Sequence, residues 1–161
     1  IIQPKPIRMK KIVLAAILCL AAGTLSAQSP VQNAILEHLR AEGYVPSIDQ
    51  DDDIAFKIEG KQYYISVEPE TDPDLYYISF SRYLYSDDVT TGRATSSCNA
   101  VNRGYKLVKC SWKKSDEDDK INYTVSVSCF VKDAGQYLQL HDRLKNCLQH
   151  GVEKLVETLY D

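Results

Sequence analysis

Three aspartates at alternate positions, Asp49, Asp51 and Asp53, open the run Asp49-Gln50-Asp51-Asp52-Asp53, and hard cations such as calcium need several oxygen ligands at this kind of spacing. The rest of a calcium loop does not follow. Ile54 stands where an EF-hand needs glycine, and Gly60 where it needs a bidentate acid. The run reads as a solvated acidic turn, with Asp49, Asp51 and Asp53 as the candidate cation ligands. His38, His141 and His150 form no pair four residues apart and have no cysteine at zinc spacing. They read as structural or surface residues, and neither a metal nor another cofactor is expected. A Gly-x-Ser-x-Gly elbow is absent, and Cys147 with His150 on one predicted helix is not enough for a nucleophilic site. The expectation is a protein without catalytic activity.

Cys98, Cys110, Cys129 and Cys147 allow three pairings and lack a Cys-x-x-Cys redox motif. Disulfides among the four are chemically permitted in an exported chain. Cys110, Cys129 and Cys147 fall on apolar faces of their predicted elements, so they also fit as small buried residues.

The eleven tyrosines are the most suggestive feature, since tyrosine combines contact area with a hydrogen-bonding tip. With Tyr63, Ile65, Tyr76 and Ile78 facing a core, Tyr64, Tyr77, Tyr83, Tyr85, Leu107 and Phe130 project from the opposite face. Ser66, Ser79, Ser81, Ser126 and Ser128 lie among them. Such a face is a candidate recognition surface or dimer interface. The plainer alternative is that tyrosine and threonine simply favour strands.

These residues need a sheet to position them, and the chain supplies the pattern. Ser29-Pro30 reads as N-cap and first helical residue, and Val31, Ala34, Ile35, His38 and Leu39 keep helical spacing until Gly43. After an acidic loop from Tyr44 to Asp53, Ile54, Phe56 and Ile58 alternate as in a half-buried strand. Gly60-Lys61 reads as the hairpin turn into a second strand, Gln62 to Glu68, and Leu75 to Tyr85 forms a third until Arg82 breaks its alternation. Asp87 or Asp88 then caps a helix over roughly Val89 to Asn102, stopped by Gly104. Strands follow over Tyr105 to Lys114 and Lys120 to Lys132, the second alternating without exception from Ile121 to Val131. Asp133, with Gln136 three residues on, caps a long helix. Its buried stripe is Tyr137, Leu140, Leu144, Cys147, Leu148, Val152, Leu155 and Leu159. At 1.5 Å per residue it should run ~40 Å, so either Gly151 kinks it or its overhang packs on a second subunit.

Ahead of this domain, Met9-Lys10-Lys11, the apolar run Ile12 to Ala22 and the small residues Leu25-Ser26-Ala27 make a secretory signal peptide over residues 9–27. The run is about half the ~20 residues of a spanning helix, so no stable membrane insertion is expected after cleavage. Residues 1–8 read as a mis-called or vector-derived extension. The expected product is exported, periplasmic or extracellular, and consists of a single domain over residues 28–161. Without Lys5, Arg8, Lys10 and Lys11 the chain keeps 15 basic residues against all 22 acidic ones, a net of −7. Such a charge repels phosphate backbones and argues against nucleic acid as a partner.

The expected fold is α+β, in the order helix, three strands, helix, two strands, helix, with an antiparallel five-stranded sheet and its helices on one face. In this order, and in Ile54-Ala55-Phe56, Gly60-Lys61-Gln62-Tyr63 and Cys98-Asn99-Ala100-Val101-Asn102, the chain resembles the class I type III secretion chaperones and the related YbjN-like regulators over about Pro30 to Tyr160. The aromatic sheet face, the excess length of the last helix and the lack of a catalytic constellation point to a non-catalytic protein-binding or chaperone-like module acting on a protein partner or on itself. The resemblance is consistent with a homodimer. A sensor domain for a small ligand or cation is the alternative, and a small enzyme comes third.

Overall fold

The computed structural model describes residues 29–160 apart from 73 and 117. The predicted signal peptide over residues 9–27 and the predicted extension before it lie outside the described residues. Helix α1 (Pro30–Ala41) begins as the sequence predicts, with the Ser29 hydroxyl accepting from the Gln32 amide at 3.1 Å. It buries Val31, Ile35, Leu36 and Leu39, and Gly43 leaves it at φ +88°.

Six strands follow, not five: β1 (Ser47–Ile48), β2 (Ile54–Ile58), β3 (Lys61–Pro69), β4 (Tyr76–Ser86), β5 (Val108–Lys114) and β6 (Ile121–Val131). Their spatial order is β1-β2-β3-β4-β6-β5, antiparallel throughout. The extra strand lies inside the segment expected to be loop, and four strands therefore precede the second helix. Two residues carry no readable alternation, so β1 arises only through its pairing with Ala55 and Ile54. The β2–β3 turn is Glu59-Gly60 rather than Gly60-Lys61, because Ile58 pairs with Lys61. Both turn residues have positive φ, 50° and 76°, as a two-residue hairpin of matching twist requires.

Helix α2 (Thr91–Gly104) is capped by Thr90, whose hydroxyl accepts from the Arg93 amide, and not by Asp87 or Asp88. Gly104 is its last residue rather than its stop, and the backbone turns extended at Tyr105. The strand predicted from Tyr105 accordingly begins at Val108. Helix α3 (Ala134–Tyr160) has the predicted N-terminal box in modified form: the Gln136 amide donates to Asp133 Oδ1, and the Lys132 amide donates to Gln136 Oε1, both at 2.9 Å.

Helix α3 runs unbroken past Gly151. That glycine serves a close approach instead of a kink, since a Cβ there would come within 2.6 Å of Val108 Cγ1. The far end packs within the same chain. Ser97 Oγ on α2 donates to the Thr158 carbonyl at 2.9 Å, and Leu155 and Leu159 are buried. The buried stripe departs from expectation at two places: Leu140 is exposed while His141 takes the inward position, and Cys147 is only half-buried.

The core lies between α1, α3 and the sheet face bearing Ile54, Phe56, Tyr63, Ile65, Ile78, Phe80, Tyr123, Val125 and Val127. Arg82 interrupts the apolar alternation of β4, as the sequence predicts, without interrupting the strand. It keeps the inward parity, with its guanidinium 5.5 Å from the centre of the Tyr63 ring. Both sheet edges are protected: β1 is too short to template another strand, and α2 covers β5. The covering is specific, because the Asn102 amide donates to the Cys110 carbonyl at 2.9 Å and accepts from the Cys110 amide at 2.7 Å. Nearby, Trp112 Nε1 donates to Thr95 Oγ1. Among the described residues no helix is long and apolar enough to cross a membrane.

Candidate functional site

Alternation in the central strands sends every second side chain away from the helices. On β4 these are Tyr77, Ser79, Ser81, Tyr83 and Tyr85, and on β6 Asn122, Thr124, Ser126, Ser128 and Phe130. Tyr83, Tyr85, Leu107 and Phe130 are 55, 69, 62 and 59% exposed, and Tyr64 and Tyr77 are half-buried. Leu107 precedes β5 rather than lying within it.

The register sorts these residues into two aromatic pairs. Tyr77 sits opposite Phe130 with ring centres 5.2 Å apart, and Tyr64 meets Tyr83 at the same distance. Between them runs a floor of serines. Ser79 faces Ser66 on one side and Ser128 on the other, with Ser128 Oγ donating to Ser79 Oγ at 3.1 Å, and Ser81 faces Ser126. Small side chains leave the floor low, and Ser81 is itself buried. Tyr77 and Tyr83 are six residues apart on one strand, so the pairs stand roughly 20 Å apart.

The acidic run and one of the two aromatic pairs, Tyr64 with Tyr83, belong to one place. Gly43, Tyr44, Asp49, Asp51, Asp53, Lys57, Gln62, Tyr64 and Tyr83 are among the residues lining a groove of about 1020 Å³. One wall is the β1–β2 hairpin, and its shape comes from Asp49. The Asp49 Oδ1 atom accepts from the amides of Asp51 and Asp53, both at 3.0 Å, and Asp52 adopts φ 64°. Gln32 Nε2 of α1 donates to the Asp52 carbonyl at 2.6 Å and ties the hairpin down. Asp49 thus spends one carboxylate oxygen on its own backbone, as aspartates in turns commonly do. Burial raises the Asp53 carboxyl above its ordinary value, a Ser66 hydrogen bond opposes the rise, and the charges of Asp49, Asp51 and Glu68 add to it. The groove therefore gathers three carboxylates and the Lys57 ammonium beside aromatic faces.

Two of the four cysteines meet: Cys98 on α2 and Cys110 on β5 are buried thiols in contact, while Cys129 and Cys147 are half-buried.

One cluster escapes a linear reading. His38 and Glu42 lie one turn apart at the end of α1, with Nε2 and Oε1 separated by 3.4 Å. His141 of α3 comes against them, its ring 5.2 Å from that of His38 in an edge-to-face contact and 5.6 Å from Phe80 in a stack. Its Nδ1 lies 3.2 Å from the Tyr137 hydroxyl. Burial, with His38 and Lys145 nearby, lowers its imidazole to about 4 and keeps it neutral at neutral pH. The available signals were a histidine on the stripe that carries Tyr137, Leu144 and Leu148, and a His-x-x-x-Glu spacing on α1. Only the fold brings the two together.

No family model matches the chain, and no curated protein matches it in sequence. Among solved structures, the crystal structure of YbjN from E. coli, a candidate transcription regulator, matches with a TM-score of 0.54 at 13% identity. The match covers 74% of this chain and 86% of that one. Identity this low speaks for architecture alone, and in architecture the chain has the YbjN-like fold that its element order led us to expect.

Proposed function

We propose that this chain is a non-catalytic binding module that holds a cationic segment of a partner protein against the open sheet face. The observation that carries the reading is the convergence of Asp49, Asp51 and Asp53 with Tyr64 and Tyr83 on one groove. Carboxylates attract a lysine or arginine, and tyrosine rings stabilise the same cation over their faces. The serine floor and the Tyr77–Phe130 pair continue the surface beyond the groove, giving a longer segment room to lie. A net of −7 over residues 28–161 favours a basic protein partner over a phosphate backbone.

The leader reading of residues 9–27 supports a place outside the cytoplasm, checked by whether the N-terminus of the native protein is Gln28. The binding reading is tested with two fluorescently labelled peptides, one alternating leucine with arginine and the other leucine with glutamate. The arginine peptide should bind, and Tyr64→Ala with Tyr83→Ala, or Asp51→Asn with Asp53→Asn, should each weaken it at least tenfold. Equal binding of the two peptides, or binding indifferent to both double variants, would overturn the reading.

A further inference from the structure

We propose that His38, Glu42 and His141 form a binding site for a divalent transition-metal ion of the zinc class, joining α1 to α3. Each residue offers one ligand atom, and the three atoms lie within 4.8 Å of one another. Among the described residues this is the set of three that comes close enough to hold an ion.

The independent observation is at His141. This residue is 1% exposed, and its Nε2 is fully buried without a hydrogen-bond partner. Burying an imidazole nitrogen unpartnered is costly, and interiors rarely tolerate it. In the tautomer that donates Nδ1–H to the Tyr137 hydroxyl, 3.2 Å away, Nε2 presents a lone pair and no proton, which is the form that ligates a metal. Ligating histidines commonly give their second nitrogen to a fixed acceptor that orients the ring. The Tyr137 hydroxyl stands where such an acceptor belongs, and the stack on Phe80 holds the ring plane.

The donor set selects the class of ion. Two imidazoles and one carboxylate suit zinc, cobalt or nickel, whereas calcium and magnesium want six or more oxygens. In a tetrahedron with bonds of about 2 Å, ligand atoms stand roughly 3.3 Å apart. The His38–Glu42 edge is already 3.4 Å, so the ion needs only the remaining edges to close. Glu42, at the helix end with a partly exposed side chain, can swing to close them. Lys145 stands near enough to act on His141, but its ammonium is paired with Asp142 at 2.7 Å, which offsets its charge. Three protein ligands leave a fourth position for water.

The test uses the full chain, stripped with a chelator and then titrated with zinc, cobalt or magnesium chloride while thermal unfolding is followed. At a free zinc concentration one hundred times the dissociation constant, the folded-to-unfolded ratio should rise about a hundredfold, seen as a higher midpoint. Cobalt should develop the visible absorption of a tetrahedral site, and magnesium should do nothing. His38→Ala and Glu42→Ala, both at partly exposed positions, should abolish the zinc shift, whereas His150→Gln should retain it. His141→Phe keeps the stacking and should also abolish the shift. If His141→Phe fails to fold, the two α1 variants decide. No zinc shift in the unaltered chain, a shift that survives both α1 variants, or an equal shift with magnesium would overturn the proposal.

Discussion

The sulfurs of Cys98 and Cys110 lie 3.0 Å apart where α2 crosses β5, and both residues are buried. The hydrogen bond donated by the Cys110 thiol to the Cys98 sulfur holds the Cys98 thiol below its ordinary value and, with burial, pushes the Cys110 thiol up. Of the pairings open to the four cysteines, this is the one the fold prepares. Exposure to a disulfide oxidant such as oxidised glutathione should join them, with two protons and two electrons passing to the oxidant. Over residues 28–161, thiol titration should fall from four reactive groups to two. Cross-linking a loop of this length should add about 3 kcal/mol to stability. A disulfide that forms unchanged in Cys98→Ser, or involves Cys129 or Cys147 instead, would sink this pairing.

Gly151 touches Val108, and the contact decides the sign of a substitution. Replacing a mid-helix glycine by alanine normally gains up to about 1 kcal/mol. Here the added Cβ would come within 2.6 Å of Val108 Cγ1, and a β-branched neighbour is stiff about χ1. Gly151→Ala should therefore lose about 1–3 kcal/mol, the usual cost of overpacking. Gly104, also helical but with open space around its Cβ position, should tolerate alanine without loss. Denaturant melts of Gly151→Ala, Val108→Ala and the pair should show the double variant recovering part of the loss. Strict additivity would remove the contact as the cause.

The helix at Gly151 also shows where a linear reading stops. Helical period placed α3 on the core, yet a stripe of 3.6 residues per turn admits either Leu140 or His141, and hydrophobicity points to the leucine. The fold buries the histidine because His38 and Phe80 stand opposite it, which is information from two other elements. Strand β6 was legible because six inward residues, Ile121 to Val131, repeat with period two. Strand β1 was not, since two residues establish no period and pairing with β2 alone makes them a strand. For the same reason the acidic run and the aromatic face read as separate features. Only the order β1-β2-β3-β4 places Asp49, Asp53, Tyr64 and Tyr83 around one groove.

Asp53 should make stability depend on pH in a defined direction. Its carboxyl is raised in the folded chain, mainly by burial, so on lowering the pH the folded state takes up this proton before the unfolded state does. Above the folded value the charge destabilises the native state by a constant amount. That cost is relieved as the pH falls toward the unfolded value near 3.8. Asp53→Asn should therefore be more stable than the native chain at pH 7, with the gap closing at acid pH. The comparison isolates this group from Asp118 and Asp142, whose lowered values act in the opposite sense. A gap constant from pH 7 to pH 3.5 would show that charge at Asp53 is not the cause.

Asn102 completes an edge that would otherwise be open. Cys110 pairs with Val125 of β6 on one side, and its own amide and carbonyl turn outward to the Asn102 side chain. One asparagine thus imitates the next strand for a single residue, giving and taking one hydrogen bond. Asn102→Ala leaves both backbone groups unpaired beneath α2, and losing partners for buried polar groups costs about 1–3 kcal/mol each. Some of that will be recovered as water enters, so a net loss of about 2 kcal/mol is expected in denaturant melts. Asn102→Asp is the sharper variant. It retains an acceptor for the Cys110 amide but has no donor for the carbonyl and places a charge against it, so it should fall at least as far as alanine. Both should also expose β5 to pairing with another chain, seen as concentration-dependent self-association in light scattering. If Asn102→Ala melts like the native chain, the edge of β5 is held by the Trp112–Thr95 contact and the packing of α2 alone.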